Sequence, residues 1–514
     1  MYTTVAGKVK ERRSKMTVNN AGGLAFQIND WQRLDRFLII GSSSGTYYVG
    51  AQKLTLENAL AVARCLGEHG PRVVDRIVEI SDQGRAPSND PALFALAMAA
   101  SYQDDHTRAY ALAKLPKVAR TGTHLFHFAA YVNAMRGWGR SLRGSIANWY
   151  QAKELDTLAY QAVKYQQRDG WSHRDLLRLS HPKTDDPVRN AIYKWIVDGD
   201  TCSQSFIDGY TKAQRAVTES ELIKLILDYN LTREMLPTQW LNSRAVWEAL
   251  LAKMPLEAMV RNLGKMSHIG LVLDNAEAIV TVVERLHQQA YIKHSRLHPL
   301  AILEALKVYG QGHGEKGKLT WAVNSAIIHA LDDAFYLAFD NVAPTNKSIM
   351  LGLDVSSSMS ACSVPNSPLS CAEAAVVMAL VTARREPQHV LKAFSSRLVD
   401  PKINPDDRLE DALRKTRAII YGGTDCSLLT QYALAQQEHF DGFVTYTDSE
   451  TWMGSMPITT LNAYRRAINP TAKQIVVGMT ATEVTIADPA DLLAMDIAGF
   501  DTATPQVIGD FIAA

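Results

Sequence analysis

The sequence predicts two units of different class, an all-helical repeat domain followed by an α/β domain on a doubly wound sheet, and three observations lead there. From about Thr55 to Phe339, apolar residues recur at intervals of three and four with few alternating strand patterns, which is the periodicity of amphipathic helices. Beyond Asn341-Val342-Ala343-Pro344, short apolar runs alternate with helical stretches, as in successive βα units. A chain of 514 residues is also too long for one hydrophobic core. The expected domains are a flexible basic arm over 1–25, a helical repeat domain over 26–345 and an α/β domain over 346–514.

The arm is expected from Lys8, Lys10, Arg12, Arg13 and Lys15, close to a chain terminus. Stop and start signals then divide the helices. Gly70-Pro71 ends one, Asp90-Pro91 places a cap before a first-turn proline, and His298-Pro299 opens a helix that Gly310 closes. Ser172 with Asp175, and Asp274 with Glu277, have capping-box spacing. Helices without intervening strands bury their apolar faces most simply by stacking as antiparallel pairs, so a degenerate HEAT-like solenoid is expected. An irregular helical domain is the alternative, because no strict period is present. Gly310-Gln311-Gly312-His313-Gly314 is not a phosphate-binding loop: no strand precedes it and no Lys-Ser/Thr pair follows, so it is expected to be a flexible connection.

Composition narrows the function classes. With 47% hydrophobic and 21% charged residues the chain is ordinary globular protein rather than disordered. Cys65, Cys202, Cys362, Cys371 and Cys426 contain no CxxC pair and fit neither a disulfide framework nor a zinc site, which points to a reducing compartment. No apolar run approaches a bilayer span and no apolar leader is present, so a cytoplasmic protein with no membrane partner is expected. The formal net charge of +1 hides an asymmetry. Residues 1–183 carry 25 Lys and Arg against 15 Asp and Glu, a net of +10, whereas 184–346 and 347–514 carry −3 and −6. Such a basic excess suits a polyanionic partner.

In the α/β region, Ser348 to Leu353 is an apolar run suited to a buried parallel strand, and it delivers Asp354-Val355-Ser356-Ser357-Ser358 at its C-terminal end, where open α/β sheets place their sites. A helix over Cys371–Arg385 and strands over 390–394, 442–446 and 474–479 continue the alternation. Asp354, Ser356 and Ser358 offer hard oxygen ligands on one loop; Gly422-Gly423-Thr424 and Asp448, each from another loop, complete a set suited to Mg²⁺ or Mn²⁺. These five positions resemble the metal-ion-dependent adhesion site of von Willebrand A domains. That resemblance implies that the serines and Thr424 coordinate directly or through water, that the aspartates act partly as outer ligands, and that one coordination position stays open. A dehalogenase-like phosphotransferase would need an acid two residues after the first aspartate, and Ser356 stands there. No GxSxG elbow is present. No catalysis is expected.

The basic third carries cations at helical spacing. Lys164 and Arg168 are four apart on a helix expected to begin near Gln151, with Tyr160, Tyr165 and Trp171 close by. Arg174 and Arg178 follow on the next helix, which ends at His181-Pro182. Arg136, Arg140 and Arg143 are spaced by four and three, and Lys114, Lys117 and Arg120 by three. Such stripes neutralise phosphates, and aromatic or guanidinium faces stack unpaired bases. Each stripe alone is also what the solvated face of an amphipathic helix looks like.

Gly45-Thr46-Tyr47-Tyr48, Lys53 to Asn58, Arg85-Ala86-Pro87, the segment Lys164 to His181 and Gly499-Phe500-Asp501-Thr502 together resemble the Ro autoantigen family, whose helical part is the TROVE module. The resemblance spans nearly the whole chain. It implies a ring of HEAT-like helical repeats joined to a von Willebrand A domain, with small noncoding Y RNA on the outer surface and the 3′ ends of misfolded or processed RNA entering the ring. Carried over, the RNA contacts fall on Lys164, Arg168 and His181, and the metal positions on Asp354, Ser356, Ser358, Thr424 and Asp448. It further implies a role in RNA quality control, degradation or maturation beside a 3′ exonuclease. A metal-dependent protein-interaction module is the alternative function.

Overall fold

Caps and apolar periodicity build helices along most of the first 339 residues of the computed structural model, which describes residues 16–42, 45–295, 297–314, 318–339, 344–364, 369–419, 422–501 and 503–514. Helix Ala51–Gln83 packs on Asp90–Ala100 and on Asp105–Val118; Asp90–Ala100 packs on Gly122–Arg136, and Asp105–Val118 on Arg140–Gln151. Contact with the next helix and the next but one is what stacked antiparallel pairs produce, so the solenoid expectation holds. The core of the stack is apolar and continuous, running through Leu93, Phe126, Trp149, Leu222, Trp247 and Phe335.

Several boundaries differ from the sequence expectation. Gly70-Pro71 bends rather than ends a helix: His69 leaves helical geometry (φ −149°, ψ 59°) and the helix resumes, because Gly70 lies flush against Thr107 and the second half stays packed. The cap before Pro91 is Asn89, with Asp90 already in the first turn. Asn275, not Asp274, caps helix Ala276–His287, its side chain accepting from the Ala278 N–H. Helix Pro299–Gln311 runs through Gly310 and ends at Gly312, whose φ of 72° is the left-handed cap. The Ser172–Asp175 capping box is present as expected. Residues 1–15 of the expected arm lie outside the described residues. The remainder of that arm is structured: β1 (Met16–Val18) and β2 (Leu24–Gln27) pair as an antiparallel hairpin.

A second hairpin, β3 (Gln167–Arg168) and β4 (Trp171–Ser172), interrupts the helices. The α/β domain then supplies β5 (Ile349–Asp354), β6 (His389–Phe394), β7 (Leu398–Val399), β8 (Gly442–Thr447), β9 (Lys473–Gly478), β10 (Val484–Thr485) and β11 (Ala494–Ala498). Six of these form one sheet in the order β11-β9-β8-β5-β6-β7, parallel except for the edge strand β7. Alternate residues divide its two faces. Met350, Phe443 and Val476 face Leu429, Leu461 and Tyr464, while Leu351, Val444 and Val477 join the core that continues into the helical array. Gly352 lets helix Leu428–Gln436 press on the sheet, since a Cβ there would lie 2.1 Å from Leu429 Cδ1.

Both ends of the helical array dock on this one domain, which closes the chain into a ring. At the N-terminal end β2 pairs with β10, and the buried Arg36 donates to Asp496 at 2.6 Å and to the carbonyls of Thr482 and Val484. At the other end Asp332 accepts from Leu409 N at 3.1 Å and from Arg408, and Lys307 pairs with Glu373 at 3.4 Å. Directly between the ends, His298 Nε2 lies 3.3 Å from the Arg85 carbonyl. Among the described residues, no helix is long and apolar enough to cross a membrane.

Candidate nucleic-acid interface and metal centre

The Lys164 to His181 segment departs from the helix its spacing predicts. Its helix begins at Leu155 and stops at Lys164, where Tyr165 turns to φ −112°, ψ 74°. Arg168 sits instead on β3, at a hairpin turned by Asp169 (φ 50°) and Gly170 (φ 77°). Asp-Gly with both φ values positive is a two-residue type I′ turn. Lys164 and Arg168 are therefore not on one helical face. Arg168 is 63% exposed beside Asp169, at 3.7 Å. Lys164 is half-buried, donating to the Tyr160 hydroxyl at 3.0 Å and lying over the rings of Tyr160 and Tyr165.

Helix His173–Ser180 buries His173, Leu176 and Leu177 and turns Arg174 and Arg178 outward. His181 caps it in the left-handed conformation (φ 47°) and is exposed. The neighbouring helix Arg140–Gln151 likewise buries Leu142, Ile146 and Trp149 and exposes Arg140 and Arg143. Trp138 and Trp171, 5.3 Å apart, tie the start of that helix to the β3–β4 hairpin. Among the described residues, Arg140, Arg143, Arg174 and Arg178 have no carboxylate within 4 Å, unlike Arg64, Arg76 or Lys212, which are paired. Arg136 is exposed but belongs to the preceding helix, and it donates to the Ala100 carbonyl at 3.1 Å.

The Lys114, Lys117 and Arg120 set is divided. Lys117 is exposed, Lys114 covers the Tyr110 ring, and Arg120, beyond the helix end, is turned inward to Ser81. His173, inside the same signature segment, is wholly buried against Tyr150 Oη at 2.7 Å, and burial drives its pKa down to about 4.

Sequence patterns missed a further basic groove. Cavities of about 330 and 700 Å³ abut across Arg233 and Asn262. Lys164, Lys253, Arg233 and Lys265 line them, each held by a neutral oxygen: Tyr160 Oη, Asn230 Oδ1, Asn262 Oδ1 and Asn242 Oδ1 respectively. Among the described residues none of these four cations has a carboxylate within 4 Å. Burial and then repulsion by Arg233 hold the Lys265 pKa below its usual value. The walls carry Trp247, Tyr309 and Trp321 together with Glu234, Glu257 and Glu304. These cations come from helices nearly a hundred residues apart, so no local spacing reveals them.

The metal candidates converge because β5 and β8 are neighbours at the point where the strand order reverses, so their C-terminal ends place Asp354 and Asp448 side by side. Asp354 Oδ1 accepts from Ser356 N at 3.0 Å, and its Oδ2 accepts from Thr447 Oγ1 at 2.6 Å. Ser356 and Ser358 hydroxyls are 3.1 Å apart, and the Asp448 carboxylate lies beside Ser358. All five candidate residues, Thr424 among them, are buried. Burial raises the pKa of both aspartates, and the Asp448 charge raises that of Asp354 further. Glu450, missed by the sequence reading although it lies two residues past Asp448, is also buried and pushed up to about 7 by burial. Tyr48 lies beside Ser358, and its hydroxyl is raised to about 12 by burial and then by Asp448 and Glu450.

Among the described residues, none of these three carboxylates has a cationic side chain within 4 Å, and no three His, Cys, Asp or Glu side chains could hold a metal unaided. A buried negative cluster flanked by hydroxyls fits a hard divalent cation, with Ser356, Ser358 and Thr424 supplying ligands that carboxylates alone do not.

A helical ring closed by an A-type domain, with buried carboxylates and hydroxyls gathered at the strand ends, defines the class of protein. The TROVE domain model matches residues 17–221 and 203–308, and the Ro60 vWA domain model matches residues 348–512. The chain belongs to the Ro family. It is 40% identical to the RNA-binding protein RO60 of Deinococcus radiodurans, over 96% of this chain and 94% of that one, and 34% identical to the RNA-binding protein RO60 of Caenorhabditis elegans, over 96% and 89%. The crystal structure of the Deinococcus radiodurans Ro (Rsr) protein superposes with a TM-score of 0.73 at 39% identity, covering 94% of this chain and 99% of that one.

Proposed function

We propose that this protein is a non-catalytic, cytoplasmic RNA-binding scaffold of RNA quality control, degradation or maturation. A small noncoding Y-type RNA docks on the surface around Lys164, Arg168, Arg174, Arg178, His181, Arg140 and Arg143. The observation that carries this reading is that the exposed guanidinium groups of Arg140, Arg143, Arg174 and Arg178, on the two helices joined through the Trp138–Trp171 pair, have no carboxylate within 4 Å among the described residues. Charge left uncompensated on a folded surface suits phosphate neutralisation. The relatives' description as RNA-binding proteins supports it.

The groove from Lys164 to Lys265 supports binding of unpaired RNA, including the 3′ ends of misfolded or processed RNAs, since its cations are oriented but not neutralised and its walls include aromatic rings. A 3′ exonuclease is the partner such a scaffold would serve. Mg²⁺ or Mn²⁺ would be held by Asp354, Ser356, Ser358, Thr424 and Asp448. Purified protein incubated with total small RNA from its source, washed and sequenced, should retain one structured noncoding RNA selectively, and the Lys164→Ala/Arg168→Ala variant should lose it. Weak, unselective retention by the wild type would refute the reading.

A second reading, a metal-dependent protein-interaction module, is favoured by Trp452, which is 51% exposed next to the metal loops. A protein partner released both by chelation and by Asp354→Ala would support it.

A further inference from the structure

The helical module reaches into the metal site. The turn between β1 and β2 lies on the loop that carries Asp448: Asn19 Nδ2 donates to the Thr451 carbonyl at 2.7 Å, Asn20 Nδ2 to Glu450 Oε1 at 2.7 Å, and Ala21 N to Glu450 Oε2 at 3.1 Å. Gly23 fits so closely that a Cβ there would fall 1.9 Å from the Thr451 carbonyl oxygen. Glu450 N in turn donates to Asp448 Oδ1 at 3.1 Å. From a different segment, Tyr48 brings its hydroxyl beside Ser358. Two of the three metal loops are thus held by residues more than 300 positions away, and β2 of the same hairpin carries the ring's closing contact with β10.

We propose that the metal site is composite: Tyr48 and the Asn19–Gly23 turn position its loops, so that cation binding and seating of the N-terminal hairpin are a single linked event that locks the ring. This rests on the metal reading above. A cation that orders the Asp448 loop holds Glu450 and the Thr451 carbonyl where the hairpin needs them. By reciprocity, a seated hairpin must then tighten cation binding by the same factor.

The test uses the full-length protein with MgCl₂, repeated with MnCl₂. Calorimetry gives the affinity, and hydrogen exchange read by mass spectrometry follows residues 16–28. Exchange in that segment should slow when the metal is added. Asn20→Ala and Tyr48→Phe should each weaken metal binding about fivefold or more, the lower end of ordinary coupling, whereas the remote Arg414→Ala should leave it unchanged. Metal that binds the wild type tightly with no change in exchange at 16–28, and equally tightly to Asn20→Ala, would overturn the coupling while leaving the metal site intact. No metal binding by the wild type would overturn both.

Discussion

Arg36 is the most exacting contact in the closure of the ring, and replacing it with methionine isolates what it contributes. The guanidinium is 2% exposed and its partner Asp496 is 3% exposed, at 2.6 Å, with further bonds to the Thr482 and Val484 carbonyls. Arg36→Met leaves Asp496 buried without its counter-charge, a change that costs about 3–5 kcal/mol. At about 2.1 cal/mol/K per residue, this lowers Tm by about 3–5 °C if all 514 residues unfold together, and by about 9–14 °C if the α/β domain unfolds alone. Scanning calorimetry therefore reads both the cost and the cooperative unit. The double variant Arg36→Met/Asp496→Leu should recover at least half of that stability, because neither charge is then buried alone. A single variant within 1 °C of the wild type, or a double variant as unstable as the two singles summed, would refute the reasoning.

Further outcomes follow from the same geometry. Burial holds His124, His173 and His298 neutral, each with a pKa near 4; an unfolded chain takes up protons on these groups below about pH 6.5, so by themselves they lower stability progressively from pH 6.5 towards 4. His127, raised by its hydrogen bond to Asp90, and Asp354, Asp448 and Glu450, raised by burial, act in the opposite sense. The histidine contribution is therefore read by difference: the urea midpoint at pH 5 relative to pH 7.5 should be higher in His173→Phe than in the wild type, and an equal or lower value would contradict it. Ser172→Ala removes one half of a capping box and should cost about 1 kcal/mol in denaturant titration. Gly264→Ala places a methyl 2.8 Å from the Trp321 ring and should cost about 1–3 kcal/mol, with a changed near-ultraviolet tryptophan signal.

Element type was legible wherever periodicity and caps agreed. The Cys371–Arg385 helix has its expected bounds, and the strands after it lie within a residue or so of theirs, because each is a buried apolar run between clear breaks. Spacing misled where a stronger local signal was overlooked: Lys164 and Arg168 are four apart, but the Asp169-Gly170 turn between Arg168 and Trp171 makes a hairpin and takes Arg168 off the helix. The loops of Asp354 and Asp448 were legible because each follows a strand, whereas Tyr48 and Asn20 were not, since their contacts join segments more than 300 residues apart. The same holds for Arg120, whose helical spacing says nothing of Ser81 waiting on a neighbouring helix.

The most direct test of the central claim is the salt dependence of RNA binding, measured by fluorescence titration for the wild type and for Lys164→Ala/Arg168→Ala. The account predicts weaker binding for the variant and a slope of log affinity against log salt that is shallower by about one for each phosphate no longer neutralised. Equal affinity with an equal slope would contradict it and remove that surface from the interface.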